Sequence, residues 1–72
     1  MSVTVDARGL SCPQPVIMTL DEIKKGTDAE IIVLVDTDTS KENVTRAAES
    51  QGCRIHEVSS AGEEYRITLV RG

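Results

Sequence analysis

The feature that most constrains this chain is a ten-residue turn between a strand pattern and a helix pattern. Residues 6–15 read Asp-Ala-Arg-Gly-Leu-Ser-Cys-Pro-Gln-Pro. Before them, alternating apolar and polar residues predict a strand over residues 2–6. After them, apolar residues at helical spacing predict a helix over residues 13–25. The sequence therefore predicts a strand-to-helix turn, with a cysteine at its helical end.

The cysteine of this turn, Cys12, is the candidate reactive residue. Pro13 and Pro15 fit the first helical turn, where amide groups have no partner within the helix, so Cys12 is predicted to be the N-cap residue. The helix dipole there lowers the pKa of a thiol below its ordinary value, and Arg8 would add to this effect if its side chain folded back. The alternative is a buried, inert cysteine. Ser, Thr, Asp and Asn are preferred at N-caps, so a cysteine there favours a chemical role.

Two residues are predicted to shape the turn itself. Asp6 should bond to backbone amides of the Arg8–Gly9 turn through its side chain. Gly9 is predicted to have a positive φ, which glycine adopts without steric cost. Together with Arg8, Pro13 and Pro15, these residues form the predicted support of Cys12.

The middle of the chain predicts a second strand-to-helix turn. The apolar run at 30–35 indicates a central strand, parallel to the first. Thr39 and Glu42 have the spacing of a capping box ahead of a second helix, which Gly52 ends. Asp36 and Asp38, between these elements, should share the sheet edge of Cys12 and oppose its thiolate. Their alternative role is to form the turn and cap the helix.

The end of the chain predicts a hairpin. A third strand is expected over residues 53–58 with a bulge near His56, followed by a turn over residues 59–63. The last strand shows clean alternation of Tyr65, Ile67 and Leu69.

The predicted order, βαβαββ, indicates an α/β chain of the two-layer α+β kind. Two helices would cover one face of a four-stranded mixed sheet, as a single domain over residues 1–72. Cys53 is predicted to be a small hydrophobic residue at the opposite sheet edge, too far from Cys12 for a disulfide.

Composition excludes several classes of function. A net charge of −4 disfavours a general nucleic-acid binder. Two cysteines separated by forty residues, with His56 as the lone histidine, predict no metal site, and no other cofactor is expected. The absence of a signal-peptide pattern and of a long apolar run predicts a cytoplasmic protein without a membrane span.

The spacing Asp6-x-x-Gly9-Leu10-x-Cys12-Pro13-x-Pro15 resembles the signature of the TusA/SirA/YedF-like sulfur-carrier family, and the resemblance covers essentially the whole chain. It implies sheet order 1-2-4-3 with an antiparallel last strand. It also implies that Cys12 receives sulfur as a persulfide from a donor, such as a cysteine desulfurase, and relays it to an acceptor protein. Such a chain is a sulfurtransferase-type carrier rather than a free-standing enzyme.

Two alternatives stay open at this point. Residues 34–44 look closer to the YedF-like branch, which is partly associated with selenium metabolism, so the same thiol would carry selenium. Alternatively, the chain is a non-catalytic binding or regulatory module in which Cys12 senses oxidants or has lost its role. The sequence names neither the donor, the acceptor, the final product (such as thiolated tRNA) nor the oligomeric state.

Overall fold

A computed structural model describes residues 2–10, 14–26 and 29–71 of the chain. The elements are β1 (Ser2–Asp6), α1 (Gln14–Lys25), β2 (Glu30–Val35), α2 (Asp38–Ser50), β3 (Cys53–Ala61) and β4 (Glu64–Arg71). This order confirms the predicted βαβαββ arrangement and its two-layer α+β class. Neither helix in the described ranges is long and apolar enough to cross a membrane.

The four strands form one mixed sheet with the order β1-β2-β4-β3. β1 pairs with β2 in parallel, and β4 runs antiparallel to both of its neighbours. Val33 in the middle of β2 lies opposite Val5 on one side and Ile67 on the other. The strand order and directions implied by the family resemblance are therefore confirmed.

The core is aliphatic, as the near-absence of aromatic residues requires. Alternate residues of β2 and β4, together with Val5 of β1 and Cys53 of β3, pack with both helices in one cluster. Its best-buried large side chains are Ile31, Val33, Val35, Val44, Ile67 and Leu69. Each such side chain stabilises the fold by ~1.5–3 kcal/mol, so this cluster holds the helices on the sheet.

The second helix begins earlier than predicted. Thr37 is the N-cap, with extended backbone, and its hydroxyl accepts a hydrogen bond from the Ser40 amide at 3.1 Å. The predicted cap, Thr39, is therefore inside the helix, and its capping-box spacing with Glu42 is not used. The physical reason is that β2 ends at Val35, so a cap at Thr37 lets the helix start at once and bury Ser40.

The third strand is longer than predicted. It continues past residue 58 to Ala61, and the loop consists of Gly62 and Glu63 rather than residues 59–63. Gly62 has φ +66, and a positive φ at the first loop position alone is the pattern of a type II′ hairpin. Pairing with β4 holds Ser59 and Ser60 in the strand despite their weak strand propensity.

The predicted bulge in β3 is confirmed. The register with β4 shifts between Ile55 and Glu57. This shift places Ile55 opposite Leu69 and Val58 opposite Ile67, so both face the same side despite their opposite parity. The bulged residue, His56, is exposed, as predicted for a surface position.

Helix ends and the second cysteine also agree with the predictions. Gly26 has φ +67 directly after α1, whose last turn carries Lys24 and Lys25. Cys53 is the first residue of β3 and only 7% exposed, so it is a small buried residue of the core. Through the strand register, Cys53 lies at the same end of the sheet as Glu30, opposite the end at which β1 and β2 lead into the helices.

Candidate functional site

Cys12 and Pro13 lie outside the described residues, and so the N-cap placement of Cys12 stays a prediction. The chain on both sides is described, up to Leu10 and from Gln14, where α1 begins. The other predicted support residues can therefore be examined directly.

Asp6 and Arg8 form a closed pair at the end of β1. The Arg8 backbone amide donates to Asp6 Oδ1 at 3.2 Å, which is the predicted side-chain bond to the turn. The guanidinium adds two more bonds, from Nε at 2.9 Å and from Nη2 at 2.8 Å. These hydrogen bonds lower the pKa of Asp6 to about 2, with the side-chain bonds from Arg8 as the largest cause.

The guanidinium of Arg8 has a second carboxylate partner from a distant part of the chain. Nη1 donates to Glu64, with distances of 3.2 and 3.3 Å to the two carboxylate oxygens. Hydrogen bonds to Asp6 first, and then to Glu64, raise the pKa of Arg8 above its ordinary value. Arg8 thus ties the end of β1 to the start of β4, and its charge is shared between two carboxylates.

Gly9 is held from the second strand-to-helix turn. Its backbone has φ +77, which confirms the predicted positive φ. Its amide donates to Asp36 Oδ2 at 2.8 Å, so this amide is bound by Asp36 and not by Asp6. Two residues earlier, the Ala7 amide donates to the Leu34 carbonyl at 2.9 Å. The first turn therefore leaves the sheet beside the end of β2.

Asp38 and Tyr65 form a separate pair at the same sheet edge. The Tyr65 hydroxyl donates a hydrogen bond to Asp38, and this bond is the largest cause of a raised Tyr65 pKa. The ammonium group of Lys41 lies 4.8 Å from the centre of the tyrosine ring, within cation–π range. The carboxylate of Asp38 therefore accepts a hydrogen bond from β4, and Lys41 of α2 covers the ring of the same tyrosine.

Pro15 has a packing role that the sequence did not predict. It is the second residue of α1, its ring is fully buried, and its carbonyl accepts a bond from the Thr19 hydroxyl at 2.8 Å. Around the turn, in contrast, two apolar side chains face solvent: Leu10 is 38% and Ile17 is 46% exposed.

Comparison with known proteins identifies the family. A family model described as sulfurtransferase TusA matches residues 3–71 of the chain. The chain belongs to this family. A crystal structure of a SirA-like protein from Desulfitobacterium hafniense matches with a TM-score of 0.85 at 33% sequence identity, over 97% of this chain and 97% of that one. No curated protein matches the chain significantly.

Membership of the TusA family assigns the chain a sulfur-carrier role in general terms, with sulfur donors and acceptors as its class of partner. The contacts of Asp6, Arg8 and Gly9 described above all belong to the turn that precedes the candidate sulfur-carrying cysteine. Each of these three residues is bound before the chain reaches Cys12.

The sequence did not predict three contacts of this site. They are the bond from Gly9 to Asp36, the ion pair of Arg8 with Glu64, and the bond from Tyr65 to Asp38. Glu64 is 56 positions from Arg8, and no local pattern relates the two. Asp36 carried a usable signal, since the parallel crossover predicted that its turn shares the edge of the first turn.

Proposed function

We propose that Cys12 accepts a sulfane sulfur from the persulfide of a donor protein, stores it as a persulfide, and relays it to an acceptor thiol. A cysteine desulfurase is the donor class that suits this role best. The observation that carries the proposal is the match of residues 3–71 to a sulfurtransferase family, with Cys12 in the Cys-Pro-x-Pro segment of its first turn.

The transfer balances without any external oxidant or reductant. The Cys12 thiolate attacks the outer sulfur of a donor persulfide, R–S–SH. The donor S–S bond breaks, R–S⁻ leaves with the electron pair, and a new S–S bond gives Cys12–S–SH. Attack by an acceptor thiolate on the outer sulfur repeats the exchange and returns Cys12 to a thiolate. The step needs a thiolate and access, and it needs no metal or organic cofactor on the carrier.

Cys53 is the only other thiol of the chain, and its setting does not suit this chemistry. It is 7% exposed within the core and belongs to the far edge of the sheet. A buried thiol in apolar surroundings is inert, because burial disfavours the thiolate and a donor protein cannot reach it.

The N-terminus of α1, rather than Arg8, is the group expected to favour the thiolate form of Cys12. The guanidinium of Arg8 is bound by Asp6 and Glu64, so its charge is largely compensated. The remaining favourable influence is the N-terminus of α1, which begins at Gln14. We expect a Cys12 pKa below that of a free thiol, measured as the midpoint of alkylation rate against pH.

Leu10 and Ile17 are proposed to contact the partner protein. They flank Cys12 in the sequence, and they are exposed apolar side chains of the kind that interface centres bury. Ile17→Ser should weaken transfer by raising the KM of the donor enzyme for this carrier. Val58→Ser is the matched control, because Val58 is 43% exposed but lies on β3.

Intact-mass spectrometry tests the assignment directly. The chain is incubated with a cysteine desulfurase, cysteine and pyridoxal phosphate, which the desulfurase requires. Wild type and Cys53→Ala should each gain the mass of one sulfur atom, while Cys12→Ser gains none. Loading that persists in Cys12→Ser would refute the proposal.

The same assay separates the competing functions. A thiol-based sensor or interaction module would take up no sulfur from the desulfurase, although oxidants would still modify Cys12. A selenium carrier would gain the mass of selenium from selenocysteine in preference to sulfur from cysteine.

A further inference from the structure

The amide of Gly9 is the last described donor before Cys12 that is bound by a side chain from another element. Its acceptor, Asp36 Oδ2 at 2.8 Å, belongs to the second strand-to-helix turn. Gly9 stands three residues before Cys12, and Leu10 is the last described residue between them. The position of this amide therefore fixes the start of the short segment that leads to Cys12.

Among the described contacts, the carboxylate of Asp36 binds the Gly9 amide and takes no part in capping α2. Thr37 caps α2, and Asp38 accepts from Tyr65, so the two neighbouring side chains are used elsewhere. Asp36 directly follows the last residue of β2 and is half-buried. A carboxylate fixed to a strand end is a rigid acceptor, and its hydrogen bond to an amide is charge-assisted.

We propose that Asp36 is a positioning residue for sulfur transfer, because its carboxylate fixes the Gly9 amide and thereby the reach and orientation of Cys12. The inference rests on the proposed function of Cys12. A shift of about 1 Å in a reacting group costs up to ~10²-fold in rate, so a single bond at the base of the turn has a measurable effect.

The carboxylate of Asp36 exerts two influences with opposite signs. Its hydrogen bond holds the turn, which favours transfer. Its negative charge disfavours a nearby thiolate, which opposes transfer. Asp36→Asn keeps an oxygen acceptor for the Gly9 amide and removes the charge, whereas Asp36→Ala removes both. The two substitutions therefore separate position from charge.

The experiment compares loading rates of the wild type, Asp36→Ala, Asp36→Asn and Asp21→Ala with the desulfurase and cysteine. Asp21→Ala is the matched control, since Asp21 is an exposed carboxylate in the middle of α1. We expect Asp36→Ala to load about tenfold more slowly. Asp36→Asn and Asp21→Ala should remain within about twofold of the wild type. Circular dichroism at the assay temperature confirms that each variant is folded.

Rescue by asparagine is the decisive result. If Asp36→Asn is as slow as Asp36→Ala, the carboxylate does not act as a hydrogen-bond acceptor and the proposal is wrong. It is equally wrong if Asp36→Ala loads at the wild-type rate. If Asp36 served stability alone, the urea midpoints of Asp36→Ala and Asp36→Asn would both fall, and Asp36→Asn would not restore the loading rate.

Two further readouts do not depend on sulfur transfer. Hydrogen exchange of the Gly9 amide should accelerate in Asp36→Ala and stay slow in Asp36→Asn. The alkylation rate of Cys12, measured at a pH where the thiol is fully ionised, should change in Asp36→Ala alone. If the wild type takes up no sulfur, the proposed function fails, while these two measurements still decide whether Asp36 positions the turn.

Discussion

The two strand-to-helix turns of this fold lie side by side, yet they are held in different ways. The second turn consists of Asp36 and Thr37, and Thr37 caps α2 through a bond to Ser40, three residues away. The first turn runs from the end of β1 at Asp6 to the start of α1. Its described part is bound by three partners from elsewhere in the fold: Leu34, Asp36 and Glu64.

The difference indicates a division of labour. A turn closed by its own cap contributes mainly to helix stability, and its closing bond is local. A turn held by distant contacts has the right shape only when β2 and the β3–β4 hairpin are in place. We infer that the first turn uses β2, the turn after it and the start of β4 as its support, which suits the position of the reactive cysteine.

Gly9→Ala should give the largest effect, because it strains the turn that leads to Cys12. No atom lies within 4 Å of an added methyl group, so the cost comes from the backbone at φ +77. A left-handed non-glycine residue costs ~1–2 kcal/mol, and relief of that strain would displace the bond to Asp36. We expect sulfur loading to slow by about tenfold.

Gly62→Ala is the matched control for that experiment. Gly62 also has a positive φ, +66, and no atom within 4 Å of an added methyl group. Both variants should lose comparable stability in urea unfolding, but only Gly9→Ala should lose loading rate. Equal loss of loading in both would mean that the first turn has no special dependence on its shape.

Pro15→Ala tests the support of the first turn from the helix side. The ring is fully buried, so its removal loses about two methylene groups of burial, and the unfolded chain gains freedom. We expect the protein to fold with its stability lowered by ~1–2 kcal/mol, together with slower loading. Urea unfolding and the loading assay measure the two effects. Unchanged stability would contradict the packing role of the ring.

Much of the fold could be predicted because its signals are local. Periodicity marks β1 and β2, and a glycine after two lysines marks the end of α1. Opposite parity of Ile55 and Val58 was sufficient to predict the bulge in β3. These features depend on residues close in sequence, so their physics is visible without the tertiary structure.

The errors arose where tertiary placement decides between local options. Thr37 and Thr39 are both able to cap a helix, and the end of β2 selects the earlier one. In β3, pairing with β4 keeps Ser59 and Ser60 in the strand, although serine favours turns. At the candidate site, the contacts of Asp36 and Glu64 depend on the sheet order, which periodicity alone does not determine.

Thr37→Ala should have a smaller effect, confined to stability. Loss of an N-cap hydroxyl costs ~1 kcal/mol, because the Ser40 amide loses its acceptor. Thr39→Ala should change stability by much less, since Thr39 is an exposed residue inside the helix. Urea unfolding measures both variants. Loading by the folded protein should match the wild type in each, and slower loading in Thr37→Ala would break the contrast between the two turns.

The smallest effect should come from the Asp6–Arg8 pair, and pH distinguishes it from the cap. Folding lowers the pKa of Asp6 from 3.8 to about 2. The pair therefore stabilises the fold fully at pH values above the unfolded-state pKa of 3.8, and it loses that contribution as the pH falls through about 2. The pair is exposed to solvent, so salt should reduce its contribution. The urea midpoint of Asp6→Asn should therefore lie slightly below that of the wild type at neutral pH, and the gap should narrow as the pH falls from about 5 toward 2. The gap for Thr37→Ala involves no titrating group in the cap and should stay constant over the same range. If both gaps narrow in parallel, the change reflects general acid destabilisation, and the first turn gains no stability from the charge of Asp6.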